Sequence, residues 1–213
     1  MVQAHAMMHG MSPRPTLDAD LLLNILTYDR IATQMRTYIG GLGFQLEENT
    51  MTGYATRFVT KTGDKIDLLV TDYLYGKAKR ENARLAGRPL CGMPAGGQAI
   101  KRSERIAFDY ADEHLTIRIP DLLGSVMLKS AAWDVDRTIA RNRHLRDAAA
   151  LLSMIDDPEQ QIGRLHSSND RRRILILHEN LTEDADAWDD IDTERKQNGL
   201  DVLDQLTEWA EQD

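Results

Sequence analysis

The first apolar run, residues 18–25, is short and bounded by turn residues, which predicts a buried strand rather than a helix. Ahead of it, residues 2–9 read as the end of a helix stopped by Gly10, and two prolines within 11–16 prevent its continuation. Ile31, Met35 and Ile39 recur at helical spacing in 28–39, and "GGLG" closes that helix. "FQLEE" and "YATRFVTK" read as strands separated by "NTMTG", and the turn "TGDK" leads into a further strand over 65–72. The predicted order is helix, strand, helix, strand, strand, strand.

Residues 77–96 are basic and then rich in Gly and Pro, which predicts a short helix and a loop. "QAIKRSERIAFDY" and "HLTIRI" alternate as strands of a smaller sheet. Pro120 is expected to open a helix at its first turn. Helical patterns follow over 121–134, 137–155, 158–166, 169–181 and 198–210. The expected division is an α/β half, 1–119, and a mostly helical half, 120–213. Neither an internal repeat nor a low-complexity linker interrupts them.

Composition sets outer limits. The 213 residues, 42% apolar and 28% charged, suffice for one sizeable core or for a domain with a helical extension. No apolar run approaches the roughly 18 residues of a membrane span, and "VQAHAMMHG" lacks the basic start of a signal peptide. Cys91 is the single cysteine, so no intrachain disulfide forms and a reducing cytoplasm is the simplest location. The net charge of −8 argues against a protein that coats nucleic acid, but charge is uneven. Residues 137–146 are arginine-rich without an acid, and residues 183–194 are acid-rich without a base.

The candidate chemistry lies where charge meets the apolar runs. Asp18 and Asp20 share one face of their strand, a few ångströms apart. Like charges so placed repel unless a cation sits between them. Mg²⁺ suits them, since it takes oxygen ligands and completes its shell with waters and phosphates. Asp67 opens the apolar strand of 65–72. If the two strands are neighbours, three carboxylates converge and can hold two metals about 4 Å apart. The plainer alternatives are a chance D-x-D and a turn aspartate after "TGDK". Arg14, just before Thr16, is placed to contact a nucleotide phosphate.

These residues carry a resemblance. "RPTLDADLLL" resembles the metal-binding strand of the polymerase-β-like nucleotidyltransferases, and the closest match within them is the AbiEii-type nucleotidyltransferase toxin family. Three motifs match in order and spacing: Thr16-Leu-Asp18-Ala-Asp20-Leu, "LLGSVMLKSAA" with Lys129, and "RNRHLRDAAALL" with Asp147. The likeness covers about residues 1–155. It implies a mixed α/β sheet with helices, followed by a mostly helical domain. It also implies transfer of a nucleoside monophosphate from an NTP to an acceptor hydroxyl, with Mg²⁺ or Mn²⁺. The acceptor would be RNA such as the tRNA 3′ end, and a cognate antitoxin protein would be a partner. Asp18, Asp20 and Asp67 would hold metal, with Asp67 helping to activate the acceptor. Lys129 and Asp147 would be catalytic. Arg14, Thr16 and Lys129 would contact the nucleotide phosphates, and Arg141, Arg143 and His144 the acceptor. The Gly-Gly or Gly-Ser turn that the family places ahead of the first motif would precede residue 2 and is not in this sequence.

Other readings stay open at this level. Lys129 can snorkel to the surface, and Asp147 can pair with Arg143, four residues earlier. His5 and His9, one helical turn apart, fit a capped helix face better than a metal site. "CGMPAGGQ" lacks the P-loop lysine and reads as a loop. Trp133, Trp188 and Trp209 fit helix packing. Two rivals remain: a same-fold enzyme acting on a cationic small molecule such as an aminoglycoside, drawn by segment 183–194, and a degenerate fold that binds a protein.

Overall fold

The structure, a computed structural model, describes residues 1–12, 16, 18–28, 30–48, 53–72, 74, 76–110 and 112–212, leaving aside the side chains of 77–79 and 110. In chain order the elements are α1 (Val2–Met8), β1 (Asp18–Leu23), α2 (Ile31–Gly41), β2 (Gln45–Leu46), β3 (Arg57–Val59), β4 (Lys65–Thr71) and α3 (Lys77–Asn82). Then come β5 (Arg84–Leu85), β6 (Arg88–Pro89), β7 (Cys91–Met93), α4 (Gly96–Lys101), β8 (Ser103–Tyr110) and β9 (Glu113–Pro120). The helices α5 (Leu122–Val135), α6 (Arg143–Leu152), α7 (Pro158–Ile162), α8 (Ser168–Asn180) and α9 (Thr193–Glu211) complete the chain. The protein is mixed α/β.

The chain divides into two compact units, one of residues 15–97 and one of residues 1–14 with 98–213. The boundary expected near residue 120 falls inside the second unit. There the buried His5 of α1 donates from Nε2 to the Pro120 carbonyl at 2.8 Å. That carbonyl can only accept, so the bond pins the N-terminal helix to the start of the helical segment.

In the first unit the sheet order is β1-β4-β3-β2, and β7 also pairs with β4. β1 runs parallel to β4 from Asp18↔Lys65 to Leu23↔Val70. On its other side β4 pairs first with β3, antiparallel, and then with β7, parallel. Leu23, Ile39, Phe58, Leu68 and Val70 make the core under this sheet. Gly96 opens α4 where a Cβ would lie 3.3 Å from the Thr71 Cα, so the backbone passes close to the end of β4.

Several expectations shift. Residues 77–96 hold α3 as expected, but the loop after it contains three short strands, one of which, β7, joins the main sheet. "QAIK" lies in α4, and the strand begins only at Ser103. Pro120 ends β9 instead of opening a helix. Asp121 is the N-cap of α5, accepting from Gly124 N at 2.8 Å, as a short carboxylate side chain readily does. The run 137–155 breaks into a 3₁₀ turn at Ile139–Asn142 and then α6.

The helical segment of the second unit buries Leu123, Met127, Leu151, Leu152, Ile174 and Trp188 together. A capping box starts α8, with the Ser167 and Asp170 side chains bonding each other's backbone N–H. Arg102 binds Asp170 through two nitrogens, at 2.9 and 3.1 Å. Among the described residues no helix is long and apolar enough to cross a membrane.

Candidate functional site

Asp18, Ala19 and Asp20 are exposed, and burial along β1 begins only at Leu21. The aspartates therefore mark the wet end of a strand whose apolar part runs inward. Because β1 and β4 are parallel and in register, Asp20 stands directly beside Asp67. Cα partners on neighbouring strands lie about 5 Å apart with side chains on one face. Asp67 is also the register partner of Arg57 on β3. One row across three strands thus reads Asp20, Asp67, Arg57.

Arg57 takes both oxygens of Asp67. Its Nε donates to Oδ1 at 2.9 Å and its Nη2 to Oδ2 at 2.7 Å. Hydrogen bonds to Asp67 raise the guanidinium pKa above its ordinary value despite partial burial, and the charges of Asp67, Glu47 and Asp18 add to that. Such a bidentate fork matches carboxylate geometry and neutralises a charge that would otherwise repel Asp20. Thr16 donates its hydroxyl to Asp18 Oδ1 at 2.7 Å and so orients that carboxylate. Arg14 lies outside the described residues.

Asp18 and Asp20, exposed on one strand face, fit a Mg²⁺ or Mn²⁺ ion that takes one or two protein carboxylates and fills its shell from water and substrate. Arg57 takes one lone pair of each Asp67 oxygen and leaves the other, so Asp67 could meet a metal only beside the guanidinium charge. Among the described residues no three His, Cys, Asp or Glu side chains are grouped as a metal site.

The other predicted residues belong to the second unit, on α5, α6 and the turn between them. Lys129 Nζ lies 2.7 Å from Asp147 Oδ2, with side-chain exposures of 19% and 8%. The lysine thus has a mostly buried anionic partner instead of a free path to solvent. Arg143 lies 3.5 Å from a different acid, Asp136. The same carboxylate accepts from Thr138 N at 2.8 Å and meets His144 Nε2 at 3.1 Å. The Thr138 bonds, ahead of His144, hold Asp136 at a pKa of about 2.

Burial pulls the His144 pKa below its ordinary value, against the Asp136 bond and with help from the charge of Lys129. A neutral His144 donating from Nε2 to Asp136 leaves Nδ1 as a bare acceptor, and that atom is buried without a partner. Arg141 stacks on Trp133, with its guanidinium carbon 3.7 Å from the ring centroid. Of the three residues expected to meet an acceptor, Arg141 and His144 therefore turn toward their own protein and Arg143 stays about half exposed.

Sequence reasoning missed Arg57 and Asp136. Arg57 was legible in principle: the pairing on either side of the "TGDK" turn sets residue 57 opposite 67. Asp136 had no comparable signal, because its partners depend on how the turn at 138–142 folds back.

The chain matches no family model, no curated protein and no solved structure.

Proposed function

We propose that the chain is a metal-dependent nucleotidyltransferase that moves a nucleoside monophosphate from an NTP to an acceptor hydroxyl. The acceptor class is RNA, with the tRNA 3′ end as the expected case, and a cognate antitoxin is the expected protein partner. One observation carries the reading: Asp18 and Asp20 stand exposed at the start of β1, with Asp67 in register beside Asp20. Asp18 and Asp20 would hold the ion, which when bound neutralises triphosphate oxygens during phosphoryl transfer. Thr16 sets the Asp18 carboxylate. In the second unit Asp147 holds the ammonium of Lys129, the cation that the sequence resemblance assigns to phosphate. The arginine-rich segment at 137–146 contributes positive charge toward an RNA backbone, chiefly from its exposed members such as Arg143.

The test is incubation with each labelled NTP and total RNA, with and without Mg²⁺, for the parent protein and for Asp18→Asn and Asp20→Asn. Labelled RNA from the parent in Mg²⁺, lost in both folded variants, is the expected result. Equal labelling by the parent and the two variants would sink the assignment.

A second reading has its own observation. Arg57 occupies Asp67 as a salt bridge would in a retired active site, which favours a catalytically degenerate fold that binds a protein. That reading expects no labelling with any NTP.

A further inference from the structure

β8 and β9 form a two-stranded antiparallel ribbon with unbroken register from Ser103↔Pro120 to Tyr110↔Glu113. Among the described residues no third strand pairs with either. A lone two-stranded hairpin is marginal in water, and an edge strand without proline, lysine or bulge is a template for another strand. β8 has no proline, lysine or bulge, and its exposed edge charges, Glu104, Arg105 and Asp109, are of both signs, so they repel or miss a second copy in most registers and match it with like faces together in one. Its residues Glu104, Arg105, Ala107, Phe108 and Asp109 are all exposed.

The ribbon has two unlike faces. Ile106 and Phe108 lie beside Ile117 and Leu115 on one face, with Phe108 and Ile117 at 38% and 40% exposure. Arg105, Ala107 and Asp109 lie beside Arg118, Thr116 and His114 on the other. Arg105 thus has a like charge opposite it, which is unfavourable, and neither arginine makes an ion pair among the described residues.

We propose that the chain self-associates through the outer edge of β8, two copies building one four-stranded antiparallel sheet. The register centred on Ala107 is singled out by chemistry. It sets Ile106 opposite Phe108 of the copy and Arg105 opposite Asp109 of the copy, each twice by symmetry. It also keeps apolar face on apolar face, because directly opposed residues of antiparallel strands point to the same side. A register centred on Ile106 sets Arg105 opposite Ala107 and Asp109 opposite Ser103, and one centred on Phe108 sets Asp109 opposite Ala107, so both keep the faces but leave the charges unmatched. The charge-matched register of β9, Glu113 against Arg118, joins an apolar face to a polar one. In the Ala107-centred sheet each arginine pair gains an acid neighbour from the other copy. Asp109 already meets its own His114 at 2.8 Å, so the row across four strands reads Arg118 and Arg105, then Asp109 and His114 of the copy.

Sedimentation velocity over a concentration series of the full chain tests this. The expected result is a monomer–dimer equilibrium that weakens about tenfold or more in Arg105→Asp and in Asp109→Arg. An equimolar mixture of the two variants should dimerise again, because the acid introduced at 105 then faces the base introduced at 109. In a Cys91→Ser background, Ala107→Cys should form an intermolecular disulfide on mild oxidation and Thr116→Cys should not. This second arm stands even where a charge variant fails to fold. A monomer at every concentration, a dimer indifferent to the charge reversals, or cross-linking at Thr116→Cys in place of Ala107→Cys overturns the proposal.

Discussion

Lys129 Nζ lies 2.7 Å from Asp147 Oδ2, joining α5 to α6 through two side chains that are mostly out of solvent. Removing one member of such a pair strands the other charge. Lys129→Met is expected to cost about 3 kcal/mol, near the lower end of the range for an orphaned buried ion. At this chain length that is a fall in Tm of roughly 6–12 °C. Lys129→Met with Asp147→Leu should recover much of it. Thermal melts of the two variants decide the matter: a lysine that merely snorkels predicts no shift in the single variant.

Arg57 stands where it keeps Asp67 from repelling Asp20. Arg57→Met should expose that repulsion and lower metal-free stability. It should also release Asp67 as an oxygen ligand, so that Mn²⁺ raises the melting temperature of the variant more than that of the parent. Adding Asp20→Asn should remove the extra metal response. Equal Mn²⁺ shifts in parent and Arg57→Met would separate Asp67 from any metal chemistry.

Burial pushes the Asp170 carboxyl up, but bonds from Arg102 and the capping serine outweigh it and hold the group at about 2. With a folded-state pKa below the ordinary carboxylate value, the group stabilises the fold at pH above about 4. That contribution is lost as pH falls toward 2. Denaturant unfolding from pH 7 to pH 3 should therefore show the stability gap between parent and Asp170→Asn narrowing at the acid end. A constant gap would mean that the proton linkage lies with other groups.

Gly199 of α9 faces Trp188. A Cβ there would lie 2.8 and 2.9 Å from two ring carbons and 3.2 Å from Ser153 N. Trp188 is 1% exposed, and its Nε1 donates to the Thr182 carbonyl at 3.2 Å, so the ring has little room to yield. Gly199→Ala gains up to about 1 kcal/mol in helix propensity. The overpacking penalty of roughly 1–3 kcal/mol should exceed that gain. The measurement is a melt paired with near-ultraviolet circular dichroism, which should report a displaced tryptophan; a stabilised variant with an unchanged spectrum would contradict the close packing.

The sequence alone determined the order of the first six elements and the placement of Asp18 and Asp20 where an apolar strand begins. It also determined the helical character of the C-terminal half. Those features are local: an apolar spacing, a glycine stop, or a polar residue beside a leucine run acts within a few residues. The β3–β4 pairing that joins Arg57 to Asp67 was within reach for the same reason, since a tight turn sets its register. Only the tertiary structure decided that β1 lies parallel to β4, setting Asp20 beside Asp67, and that β7 completes the far side of β4. It also decided that α1 folds with the helical unit through His5 and Pro120, and that Asp147 answers Lys129. Each of these joins segments separated by many residues, and a spacing rule cannot reach them. Which face meets which is settled by shared burial and by the need of buried polar groups for partners.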